Sequence, residues 1–222
     1  MTTATLDRPI QHTITTSGAA MAAPTPTETS VSKTAVLVGL VFLIATFTFA
    51  IANALIRSSF SSATANSALV AGVFLLGCCG LAVAANGVAM RTILAPHAPI
   101  RSRAYLVLRV TECLTLVAVG VYFLTSRAQW NAYVLAVYVV SGAAGLVLSS
   151  ALLTSRTVPR NLSLLGLIGY PVFLAGSILA MFNLIEVTHG AGMLALVPGG
   201  LFELILPIWL FTKGFTSHQI EG

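Results

Sequence analysis

The chain has 222 residues, 57% of them hydrophobic and 8% charged, with a mean hydropathy of +0.94. Soluble domains carry about 25% charged residues, so this composition excludes a water-soluble globule and points to one compact integral membrane domain. The formal net charge of +5 lies at the ends of apolar runs, where positive-inside topology and anionic lipid headgroups account for it, so nucleic-acid binding is not indicated.

Residues 1–33 are rich in Thr, Ser, Ala and Pro and are expected to form a disordered cytoplasmic tail. No apolar core follows a short basic start, so the tail is not a secretory signal, and Met21 is an alternative start. Six apolar runs follow, at about 36–56, 68–90, 104–124, 132–153, 162–185 and 193–212. Each is near the ~20 residues that cross ~30 Å of hydrocarbon, and none alternates with the period of a barrel strand. The expected fold is therefore all-α, a polytopic transmembrane six-helix bundle over 34–215 with a short cytoplasmic tail at 216–222.

The cations orient the bundle. Arg8, Lys33, Arg91, Arg101, Arg103, Arg156, Arg160 and Lys213 fall on one side, and only Arg57 and Arg127 on the other. This bias puts both termini in the cytoplasm. It makes Arg91, Arg101, Arg103, Arg156, Arg160 and Lys213 candidate contacts to lipid headgroups. Trp130 and Tyr133 fit an outer interfacial belt, and Tyr105 and Trp209 an inner one.

Small residues mark candidate helix contacts. GCCG at 77–80 and SGAAG at 141–145 allow backbones to approach closely, either within the bundle or across a homodimer. Asn66, Gly77, Gly80, Arg91 and Thr92 recur 65 residues later as Asn131, Gly142, Gly145, Arg156 and Thr157, which suggests either a hairpin repeat or shared composition. Pro171 in Gly169-Tyr170-Pro171 should loosen the fifth helix. Pro198-Gly199-Gly200 should delay the sixth, leaving 192–197 re-entrant or interfacial. Cys78, Cys79 and Cys113 all lie in apolar runs and serve as small packing residues. Asn53 and Asn86 are suited to interhelical hydrogen bonds.

Arg109 and Glu112 stand three residues apart inside the third run, on one face with Tyr105 and Leu116. Glu203 falls within the sixth run at a similar depth. An ionisable residue in the bilayer is costly and marks a functional site by default. Arg109, Glu112 and Glu203 thus form a candidate intramembrane polar cluster in which two carboxyls share one guanidinium. That is the layout of a proton-coupled site, where the spare acid gains and loses a proton as substrate moves. The alternative is a structural one: Arg109 and Glu112 neutralise each other, and Glu203 hydrogen-bonds a neighbouring helix. No catalytic residue, cofactor or metal site is indicated. No His lies inside a run to hold haem, and no Lys lies mid-run for a retinal Schiff base. Glu186 and His189 in the last outer loop are too few for a metal.

Three blocks resemble the bacterial integral-membrane family called domain of unknown function 4386. They are the R-x-x-E of Arg109 and Glu112, the turn of Ser155, Arg156, Val158, Pro159 and Arg160, and the ending of Glu203, Leu204, Leu206, Trp209, Leu210, Lys213, Gly214 and Phe215. The resemblance spans roughly 34–215, with Phe42 at an aromatic position of the first helix. It implies a multi-pass protein of the bacterial cytoplasmic membrane with no assigned activity. The functional expectation is a small transporter or proton-coupled permease. A membrane accessory, sensor or structural protein is the alternative, and a lipid-acting intramembrane enzyme ranks behind both.

Overall fold

The computed structural model describes residues 28–60, 65–127, 132–185 and 190–215. Residues 1–27, Trp130, Asn131, Glu186, His189 and the segment 216–222, all given readings above, lie outside the described residues.

The described chain is all-helical. Its helices are α1 (Glu28–Ser59), α2 (Ala65–Leu94), α3 (Pro99–Ser126), α4 (Tyr133–Ser155), α5 (Arg160–Met181) and α6 (Val197–Thr212). A 3₁₀ segment at Gly190–Ala195 precedes α6. The first five helices are long and apolar enough to cross a membrane, and α6 is a shorter apolar helix. The late start of α6 matches the Pro198-Gly199-Gly200 expectation. α1 begins at Glu28, so residues 28–33, assigned to the tail from composition, are helical.

The α2–α3 and α4–α5 connections are short, and each joins antiparallel neighbours. The helices pack in sequence order, and α1 also packs against α6, closing a six-membered ring. We call the end carrying the α2–α3 and α4–α5 turns the base and the opposite end the top. Local chemistry shapes the α4–α5 turn. Arg156 adopts a left-handed φ of 52°, Val158 is buried in the base, and Pro159 leads into the first residue of α5. At the end of α6, Gly214 takes a φ of +68°, a conformation open to glycine at no steric cost, and Phe215 folds back into the base core.

Two apolar clusters close the ring. One at the base includes Val38, Phe42, Leu94, Tyr105, Leu152, Phe202 and Phe215. One toward the top includes Ile56, Leu76, Leu116, Phe123 and Tyr133. The outer faces are as apolar as the core, with Phe74, Leu81, Leu114 and Ile168 each more than 60% exposed. A surface of this kind is stable only against lipid. Polar side chains on it are satisfied within their own helix: the hydroxyls of Thr111 and Thr115 donate to the carbonyls of Val107 and Thr111. The chain is a multi-pass integral membrane protein.

Several positions differ from the expectation. Tyr105 and Tyr133 do not face outward as belt residues would: both are buried, with 0% and 2% exposure. Their rings turn inward because their hydroxyls find the amides of Asn86 and Asn53. Gly77 meets nothing within 4 Å, whereas Gly80 faces Cys113, and Gly142 and Gly145 face α5. At one pair of the 65-residue echo the contacts differ. Gly80 meets Cys113, but Gly145 meets Tyr170, about two helical turns from Ile178, the counterpart of Cys113. α5 runs unbroken through Pro171, which faces outward.

Candidate intramembrane site

On α3, Tyr105, Arg109, Glu112 and Leu116 lie at helical spacing and are all buried. On α2, Gly87 lies against the arginine: a Cβ there would fall 2.8 Å from the Cβ of Arg109. The absence of that side chain lets α2 close over the arginine.

Arg109 is 4% exposed and Glu112 is 5% exposed. The Nη1 of Arg109 donates to Glu112 Oε2 at 2.7 Å, and its Nε donates to the Tyr105 hydroxyl at 2.8 Å. That hydroxyl in turn donates to Asn86 Oδ1 at 3.4 Å. The guanidinium carbon lies 5.1 Å from the Tyr105 ring centroid and 5.5 Å from that of Phe42. Charge, hydrogen bonding and ring quadrupoles therefore all compensate the desolvation of the cation. It is the only ion pair among the described residues.

Glu203 lies on α6, with Oε1 3.4 Å from the hydroxyl of Tyr170, which donates to it. Tyr170 is fully buried and packs edge-on to Phe202. Its ring fills the space left by Gly145, where a Cβ would fall 2.1 Å from ring atoms. α6 itself approaches α5 closely because Gly169 has no side chain. A Cβ there would lie 2.8 Å from the carbonyl carbon of Pro198.

A cavity of about 320 Å³ runs along the axis of the ring. All six helices supply its wall, and Arg109, Glu112 and Glu203 all line it. The three residues thus face one space but do not form a three-way ion pair: Arg109 bonds Glu112, and Glu203 bonds Tyr170. Asn53, Tyr138 and Leu196 carry the wall toward the top, while the base cluster fills the other end. Cys79 also reaches the cavity, its thiol donating to the Ala45 carbonyl at 3.3 Å.

The sequence pointed to Arg109, Glu112 and Glu203 but not to Tyr170, which stood only in a helix-loosening motif. Tyr105, four residues before Arg109, carried a usable signal, because that spacing stacks it on the arginine. The six cations assigned to headgroups, Arg91, Arg101, Arg103, Arg156, Arg160 and Lys213, are all exposed at the base. One of them is also engaged within the fold: Arg101 donates to the Ser150 carbonyl at 3.3 Å and to the Thr154 hydroxyl.

The family model described as Domain of unknown function (DUF4386) matches residues 119–214, from within α3 to just past α6. This is the family that the sequence blocks resemble, and the matched stretch carries Tyr170 and Glu203. Arg109 and Glu112 precede the matched residues. No curated protein and no solved structure matches the chain.

Proposed function

We propose that this membrane protein is a small transporter, a permease that couples substrate movement to a proton carried by Glu203. One observation carries the reading: a single axial cavity walled by all six helices holds two carboxyls and one guanidinium. A closed structural bundle has no need of such a space, and a cavity costs packing energy wherever it is not used. The division of partners supports separate roles. Arg109 and Glu112 hold each other, leaving Glu203, bonded to a neutral hydroxyl, as the acid free to exchange a proton. On the same reading the exposed cations of the base lie against the headgroups of the cytoplasmic leaflet.

Reconstitution in proteoliposomes tests this. Uptake driven by a pH gradient is expected for wild type and lost in Glu203→Gln. A substrate panel with no flux, and Glu112→Gln and Glu203→Gln indistinguishable from wild type, would remove the reading. One observation favours a structural role instead, namely that Arg109 bonds Tyr105 through Nε and Glu112 through Nη1 beside the Phe42 ring. That role predicts lost stability in Arg109→Gln and no flux in any variant.

A further inference from the structure

We infer that the axial cavity binds a small substituted-ammonium cation, with Glu203 as its counter-charge and the rings of Phe49, Tyr138 and Phe173 as its apolar seat. The inference rests on the transport reading insofar as it takes the cavity for a substrate site.

The charge balance sets the sign of the ligand. Glu112 is matched by Arg109 at 2.7 Å, and two aromatic rings lie beside the guanidinium. The charge of that arginine is therefore already balanced. Glu203 has a neutral partner, Tyr170, so its ionised form leaves the cavity one positive charge short. The groups facing it are Arg109 and Glu112 from α3, Tyr138 from α4, Tyr170 from α5 and Cys79 from α2; α1 presents Thr46 and Asn53, which do not titrate.

The aromatic wall sets the class. Phe49 and Tyr138 lie 6.1 Å apart between centroids, and Tyr138 and Phe173 lie 5.2 Å apart. The three rings come from α1, α4 and α5 and line the space shared with Glu203. Ring faces beside a carboxylate attract an alkylated cation. Ala45, Ala50, Leu116 and Val137 add to the apolar part of the wall, and Thr46, Asn53, Asn86 and Ser141 add neutral hydroxyls and amides to it. The volume of about 320 Å³ suits a small ligand. A proton and a monocation are alternative neutralisers of one carboxylate, so binding weakens as pH falls.

The test uses the full chain in nanodiscs of neutral lipid and equilibrium dialysis with radiolabelled benzyltrimethylammonium. Saturable binding is expected, displaced by choline but not by its neutral isostere 3,3-dimethylbutanol or by benzoate. Glu203→Gln should weaken binding at least ten-fold, Phe49→Leu and Tyr138→Leu several-fold, and Arg127→Gln not at all, with Glu203→Asp retaining it. Cooperative thermal unfolding of each variant establishes that it is folded. Absence of saturable binding to folded wild type, displacement by benzoate, or unchanged binding in folded Glu203→Gln would overturn the inference. Binding without flux in proteoliposomes keeps the inference and removes the transport reading. Proton-coupled flux of an anion does the reverse.

Discussion

The ring of Tyr170 occupies the place of the side chain that Gly145 lacks, with ring atoms 2.1 Å from where its Cβ would lie. That contact between α4 and α5 aims the Tyr170 hydroxyl at Glu203 on α6. A residue with no functional group thereby positions the partner of a half-buried acid two helices along the ring.

Gly145→Ala is expected to destabilise the protein by about 1–3 kcal/mol, because a rigid ring must move to admit the methyl group. Gly77→Ala, in the other small-residue motif, meets open space and should be neutral or stabilising by up to about 1 kcal/mol. Thermal unfolding in detergent checks the pair. Equal stability of the two variants would contradict the packing described.

Removing one partner of the Arg109–Glu112 pair leaves a buried charge uncompensated. Arg109→Gln and Glu112→Gln should each cost about 3–5 kcal/mol, and the double variant should cost clearly less than their sum. A double-mutant cycle measures the coupling. Additive effects would mean that the 2.7 Å contact contributes nothing to the fold.

Tyr170→Phe retains the ring against Gly145 and its edge-on contact with Phe202, 5.5 Å between centroids. Stability should fall by no more than about 1.5 kcal/mol, the net worth of one hydrogen bond. Proton-coupled uptake should change several-fold, because the hydroxyl that bonds Glu203 is gone. Uptake and its pH profile identical to wild type would show that the hydroxyl does not influence the acid.

The exposed cations separate the two ends of the bundle: Lys213 and Arg103 lie at the base, Arg127 at the top. In a background lacking Cys78, Cys79 and Cys113, a membrane-impermeant maleimide applied to intact cells should label Arg127→Cys. It should leave Arg103→Cys and Lys213→Cys unlabelled until the cells are opened. The opposite pattern would invert the orientation.

The sequence alone determined the membrane class, the six apolar runs and the placing of Arg109 and Glu112 on one helix face. Each follows from local properties: run length against bilayer thickness, or a three-residue spacing on one helix. Helix ends such as Glu28 and Leu94 ran past the apolar runs because a helix does not stop where the hydrocarbon does. Only the tertiary structure decided which side chains face one another. It turned Tyr105 and Tyr133 inward, gave Glu203 to Tyr170 rather than to Arg109, and opened a cavity between them. The physical reason is that these helices are apolar all round, so hydrophobic periodicity does not mark the inner face. Their rotations are set instead by non-local contacts, such as Gly87 against Arg109 and Gly145 against Tyr170.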